Sequence, residues 1–273
     1  MIWREIISKA DAYLNGKGVP DARVASESLA ARLLHVGRGL LAGSLEKEVP
    51  ERCLEAMRRG MARLVKGEPL QYVLGEWDFR MLTLKCDRRA LIPRPETEEI
   101  TNRIIQLHSI APKSILDICT GSGCIAIALA KKFPSAEVHA ADISPEALIL
   151  AKRNAIKNNT EIQFHQCDVL AENPWESYSF DLMVSNPPYI RRSESAQMHS
   201  NVLDYEPHLA LFVEDDDPLV FYRRIGEIAK HSLSPDGRLV LEINETLGNE
   251  TCSLLNGQGF ETELHQDFRG KDR

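Results

Sequence analysis

The sequence contains no Cys-x-x-Cys pair. Its six cysteines (Cys53, Cys86, Cys119, Cys124, Cys167 and Cys252) are scattered, and the Cys119/Cys124 spacing has no histidine-rich partner segment. A metal site and a disulfide framework are therefore not expected, and reduced thiols in a cytoplasmic protein are. No apolar run approaches the roughly 20 residues that a membrane span needs. The start, Met1-Ile2-Trp3-Arg4-Glu5, is charged early and lacks a signal peptide's apolar core. Positive charge is not in excess either: 33 basic against 40 acidic residues leave a net charge of −7. Broad binding to nucleic acid rests on Lys and Arg neutralising phosphates, so a stable nucleic-acid partner is not expected. There is no internal repeat. What is present, 43% apolar and 27% charged residues in a chain of 273, suits an ordinary globular protein of one large or two modest domains.

Residues 1–74 read as a small helical bundle. Trp3, Ile6, Ile7, Ala10, Tyr13 and Leu14 recur at helical spacing, and Asn15-Gly16 closes that segment. Asp21 is placed to cap a second helix carrying Ala25, Leu29, Leu33 and Leu34. Pro50 opens a third, with Leu54, Met57, Met61, Leu64 and Val65 on one face. Its arginines, Arg52, Arg58, Arg59 and Arg63, read first as a solvated helix side and second as a docking surface. Residues 75–90 change pattern. Trp77 to Met81 and Leu82 to Cys86 alternate, as in a β-hairpin linker. Pro93-Arg94-Pro95-Glu96-Thr97 then leads stiffly into a helix with Pro95 in its first turn. Arg94 and Glu96 are placed to reach a site, or belong to an ordinary entry loop.

Residues 91–273 alternate strand and helix. Strands are expected at 114–118, 137–141, 162–166, 180–185 and 237–243, with a late strand at 260–266. Helices are expected at 124–133, 145–158, 218–231 and 246–256. Ser144 caps the second of these, with Pro145 at its first position. Such alternation implies an α/β fold built on a doubly wound, mostly parallel sheet.

Asn186-Pro187-Pro188-Tyr189 follows the apolar run Phe180 to Ser185. The prolines stop the strand, since neither donates to a ladder and Pro187 disfavours helix at Asn186. A side-chain amide is thereby held at a strand's carboxyl end, where open α/β sheets bind ligands. A planar amide or amino group fits there, with the Asn oxygen and a freed carbonyl accepting its two N–H donors and the Tyr189 ring covering its face. Upstream, Asp117 to Cys124 includes Thr120-Gly121-Ser122-Gly123 between a strand and a helix, as close approach of a ligand requires. Asp142 ends the second strand at the reach of a ribose diol, and Asp168 ends the third. The loop lacks a full Gly-x-Gly-x-x-Gly, and Asp117 would repel a pyrophosphate but suit an ammonium or a sulfonium. S-adenosylmethionine is favoured over a dinucleotide.

These pieces resemble the HemK/PrmC family, the release-factor glutamine N5-methyltransferases. The resemblance rests on Pro69 to Phe79, Ile92 to Glu98, Thr120 to Ala130, Asp142-Ile143-Ser144, Ser185 to Ile190, Tyr205-Glu206-Pro207 and Gly270 to Arg273. It implies a class I S-adenosylmethionine-dependent methyltransferase, Rossmann-like, preceded by the helical bundle and the hairpin. It implies that Cys119, Thr120, Gly121, Ser122 and Gly123 line the methionine and ribose part of the cofactor, alongside Asp117. By the same resemblance Asp142 binds the ribose hydroxyls, Asp168 and Val169 border the adenine, and Asn186 also adjoins the cofactor. Asn186, Pro187 and Pro188 would hold the substrate amide, with Tyr189 packing near it. The implied substrate is the Gln of the Gly-Gly-Gln loop of class 1 peptide release factors, docked by residues 1–74 onto a monomer. Two departures stand out. Cys119 occupies a position usually held by Gly, so the loop is not expected to need a Gly-only backbone there. The family also continues past the equivalent of Arg273 into a final strand. Two alternatives share the Asn-Pro-Pro-Tyr logic: a DNA adenine-N6 methyltransferase and a glutamine methyltransferase of a ribosomal protein.

Overall fold

The computed structural model describes residues 1–108 and 110–273. The chain forms two compact units, Met1–Glu76 with His199–Tyr205, and Trp77–Met198 with Glu206–Arg273. In the first, α1 (Trp3–Gly16), α2 (Ala22–Leu34), α3 (Glu51–Val65) and α4 (Leu70–Leu74) close around Trp3, Ile7, Leu14, Leu29 and Met57. The apolar residues read from helical spacing belong to this core or pack against it, except Tyr13, which is exposed. Arg63 joins α3 to α4, donating to Glu68 Oε2 at 2.7 Å and to the Tyr72 carbonyl at 3.0 Å. Asp21 does stand at the start of α2, but its backbone is left-handed (φ 49°) and its side chain makes no capping bond. That backbone replaces the extended conformation from which an N-cap side chain reaches back to the helix.

The second unit opens with a hairpin of β1 (Glu76–Phe79), whose first residue belongs to the helical unit, and β2 (Leu82–Lys85). Arg80 turns it with φ at 55°. Then follow α5 (Pro95–Leu107), β3 (Ser114–Ile118), α6 (Cys124–Lys132), β4 (Glu137–Asp142), α7 (Pro145–Lys157), β5 (Gln163–Gln166) and β6 (Phe180–Ser185). After them come β7 (Ile190–Arg191), α8 (Ser200–Tyr205, part of the helical unit), β8 (Phe212–Val213), α9 (Val220–Ser232), β9 (Leu233–Leu241) and α10 (Gly248–Gly257). Ser144 caps α7 as expected, accepting from the Ala147 N–H at 3.2 Å.

The five-stranded sheet runs β5-β4-β3-β6-β9 with every pair parallel. This is the expected doubly wound sheet. Both faces are covered, so alternate residues of one strand enter different cores. Leu182 and Val184 of β6 pack with α6, whereas Met183 packs with Ile225 and Ile228 of α9. The order in which strands are added reverses between β3 and β6, and a crevice opens at their carboxyl ends.

Two expectations need correction. The fifth strand begins at Leu233, not Gly237, and its register with β6 shifts between Phe180 and Leu182. The late strand at 260–266 does not form; only an isolated bridge joins Gln266 to Asp272. The backbone is drawn into a terminal turn instead. Asp267 Oδ1 accepts from the N–H groups of Arg269 and Lys271, and the Arg273 N–H donates to the His265 carbonyl.

Asn154 of α7 is fully buried and fixes the hairpin to the sheet. Its Oδ1 accepts from the Lys85 N–H at 2.6 Å, and its Nδ2 donates to the carbonyls of Lys85 (3.1 Å) and Ser122 (2.9 Å). Asn154→Leu keeps the branched shape but removes all three bonds and deprives the Ser122 carbonyl of its partner in the interior. We expect it to lower the unfolding free energy by about 1–3 kcal/mol, measured by urea titration.

Candidate active site

A parallel sheet brings its strand ends to one rim, so residues far apart in sequence meet there. The loop after β3 is the first wall. Its backbone is held from three sides. The Thr120 N–H donates to the Ala141 carbonyl at 2.9 Å, the Gly121 N–H donates to Asp142 Oδ2 at 2.8 Å, and the Gly123 N–H donates to the Thr120 carbonyl at 2.8 Å. Gly123 has φ at 81°, and a Cβ there would stand 3.1 Å from both Ala151 and Ile127. Helix α6 therefore sits closely on α7 only because residue 123 has no side chain. Cys119 also has a positive φ, 61°. The position does take a glycine-type backbone, contrary to the expectation from its side chain, and Cys119 bears the strain of a Cβ in the left-handed region.

Asp117 lies inside β3 with no exposed surface. Strand alternation aims it at α6. Its Oδ2 accepts from Thr120 Oγ1 at 2.6 Å and from the Ala126 N–H at 3.1 Å. It thus braces the loop from beneath and is not among the cavity's lining residues. The expected contact with an ammonium or sulfonium is replaced by a supporting role. Burial pushes its carboxyl up to about 7, against the opposing effect of those two bonds.

The rim encloses a cavity of about 210 Å³. Cys119, Thr120, Gly121, Ser122, Asp142 and Asp168 line it, together with Val169 and Asn186. Gly123 stands behind the lining as the start of α6. Asp142 Oδ1 accepts from the Ser144 N–H at 2.9 Å, so the carboxylate is fixed while retaining unused lone pairs. Burial raises its pKa. Asp168 Oδ1 accepts from the Leu170 N–H at 3.0 Å. Two fixed carboxylates at adjacent strand ends, with apolar walls from Ile143, Val169 and Leu170, form an acceptor set that fits a nucleoside bearing a cationic tail.

The prolines after β6 divide the predicted site. Asn186 and Pro188 line the cavity; Pro187 and Tyr189 do not. The Tyr189 hydroxyl donates to Glu242 Oε1 at 3.1 Å, and its ring borders a neighbouring polar cavity with Arg191, Asn244 and Arg273. Burial and the adjacent Glu242 charge raise its pKa. Asn186 Nδ2 donates to Thr97 Oγ1 at 3.1 Å, and Thr97 Oγ1 donates to Glu242 Oε2 at 2.6 Å. Arg94 reaches the cavity, held by Glu206, which also accepts from the Ile92 N–H at 3.0 Å. Glu96 does not reach it and pairs with Arg269 at 3.7 Å.

Thr97, Glu206 and Glu242 were not among the residues picked out from sequence. The first two sit in motifs that the sequence displays, Pro-Arg-Pro-Glu-Thr and Tyr-Glu-Pro. Glu242 directly follows β9 and has no local signature.

Known proteins resemble this chain. The methyltransferase small domain matches residues 102–204, and the PrmC N-terminal domain matches residues 5–75. A release factor glutamine methyltransferase from Flavobacterium psychrophilum is 48% identical over 218 residues, covering 78% of this chain and 76% of its own. Those of Leptospira interrogans (35% identical; 98% and 95% covered) and Geobacter sulfurreducens (36%; 100% and 95%) align along nearly the whole length. Among solved structures, a ribosomal protein L11 methylase from Lactobacillus delbrueckii subsp. bulgaricus is similar at 22% identity and a TM-score of 0.48, covering 67% of this chain and 78% of that one.

Asp117 gives a pH test. Its folded value lies above that of a free carboxylate, so the native state binds the proton more tightly than the unfolded chain. Its contribution is fully present below about pH 4 and is lost as pH rises through 7. Asp117→Asn should therefore be less destabilised than wild type between pH 5 and pH 8, with a difference of more than about 1 kcal/mol in urea unfolding. Equal slopes would exclude Asp117 as the titrating group.

Proposed function

The chain belongs to the release factor glutamine methyltransferase family, and we propose that it methylates the side-chain nitrogen (N5) of the Gln in the Gly-Gly-Gln loop of class 1 peptide release factors. It is an enzyme whose methyl donor is S-adenosylmethionine. The observation that carries the substrate reading is the amide of Asn186, fixed by Thr97 at the edge of the cavity that Asp142 and Asp168 border.

Asp142 would hold the ribose hydroxyls, the backbone of Cys119 to Gly123 the methionine part, and Asp168 with Val169 the adenine. When bound, the donor supplies an electrophilic methyl on a cationic sulfur. This chain's residues do the rest. A primary amide nitrogen is a weak nucleophile because its lone pair is delocalised into the carbonyl. Asn186 Oδ1 and the Pro187 carbonyl would accept its two N–H groups, favour pyramidalisation and direct the lone pair into the cavity. Positioning and polarisation of this kind supply most of the acceleration. A general base is not required before transfer, since the amide nitrogen gives up its proton to water afterwards. Pro188 shapes the wall, and Tyr189 acts through Glu242.

The helical unit, matched by the PrmC N-terminal domain, would dock the protein substrate. No helix among the described residues is long and apolar enough to cross a membrane. We place the enzyme in the cytoplasm as a monomer that needs no nucleic acid.

The test is incubation with labelled S-adenosylmethionine and, in parallel, a class 1 release factor, ribosomal protein and duplex DNA, followed by mass-spectrometric mapping. Label on one glutamine of the release factor is expected. Label on adenine, or on the ribosomal protein alone, overturns the proposal. Asn186→Ala should remove turnover by more than about 100-fold while the affinity for S-adenosylhomocysteine, by calorimetry, changes little.

A further inference from the structure

The Pro-Arg-Pro-Glu-Thr segment contributes Thr97 to the site, and its hydroxyl lies between a carboxylate and an amide. Thr97 and Glu242 are each 2% exposed. Glu242 follows β9, and its N–H donates to the Ser185 carbonyl at 2.9 Å, which ties it to the last residue of β6, directly before Asn186. Its two oxygens accept from Thr97 and Tyr189.

A hydroxyl has one proton. At 2.6 Å from a carboxylate oxygen, the Thr97 proton is committed to Glu242. Thr97 then offers only lone pairs to Asn186, and the Asn186 amide must turn its NH2 group toward Thr97. Its Oδ1 is left for the cavity. The opposite orientation would set two acceptors against each other at Thr97 and two donors against each other at a substrate amide. We infer that Thr97 and Glu242 are positioning residues that set the polarity of the Asn186 amide, so that an acceptor and not a donor meets the substrate nitrogen. Tyr189 holds the far oxygen of Glu242 and keeps the carboxylate aimed at Thr97. The inference rests on the function proposed above for Asn186.

Side-chain NMR of protein labelled with 15N-asparagine tests it without reference to turnover. The δ-amide protons of Asn186 should exchange with solvent at least about tenfold more slowly than those of exposed asparagines, because one is bonded to a buried hydroxyl. Thr97→Val should abolish that protection and lower kcat on the order of 100-fold. Binding of S-adenosylhomocysteine should stay within about twofold. Thr97→Ser should recover most of both losses, which a packing role for the methyl group would not predict. Fast exchange of the Asn186 amide in wild type, or an unchanged kcat in Thr97→Val, overturns the inference. If wild type methylates no glutamine, the proposed function fails while the exchange measurement still decides whether the relay exists.

Discussion

The left-handed backbone at Cys119, Gly121 and Gly123 takes the loop after β3 away from the sheet ladder, and two aspartates help to hold it there. Asp142 takes the Gly121 and Ser144 N–H groups from above, while Asp117 takes the Thr120 hydroxyl and the Ala126 N–H from below. The loop between β3 and α6 is rigid for this reason. A ligand entering the crevice meets surfaces already in place, so less ordering entropy opposes binding. Burial raises the pKa of both carboxylates, and the bonds they accept offset part of that penalty.

The same economy recurs on the substrate side. Burying Glu242 is unfavourable, and its pKa is raised. Two hydroxyls compensate, and one of them passes the orientation on to Asn186. Glu206 does similar service at the opposite wall, where one buried carboxylate joins the Ile92 N–H to the Arg94 guanidinium. Buried polar groups that are fully bonded fix one arrangement among many, and a site for a small, weakly nucleophilic amide depends on such fixity.

Much of this was legible in the chain. Strand-helix alternation gave the parallel sheet, and parallel strands place Asp142, Asp168 and Asn186 on one rim without further information. Helical spacing gave the apolar faces of α1, α2 and α3. What escaped notice depended on distances that no local pattern carries. Thr97 and Glu242 are 145 residues apart, and Asn154 meets Lys85 across 69. The place of Asp117 beside the Gly-rich stretch suggests a ligand contact, whereas strand alternation turns it toward α6 and out of the cavity's lining. Tyr189 was expected over the amide, but a carboxylate within reach of its hydroxyl holds it elsewhere. The alternating pattern at 260–266 signalled a strand, but Asp267 gathers the backbone into a turn before any ladder can form.

The missing late strand leaves β9 at the margin of the sheet, paired on one side only among the described residues. Such a margin is a template on which a second molecule could stack and begin a fibre. Pro235 interrupts the template by withholding a donor, and Asp236 and Arg238 place opposite charges beside the gap. The register shift against β6 bends the same stretch. An incoming chain would find neither a continuous hydrogen-bonding row nor a flat apolar face, so the sheet can end here without inviting aggregation.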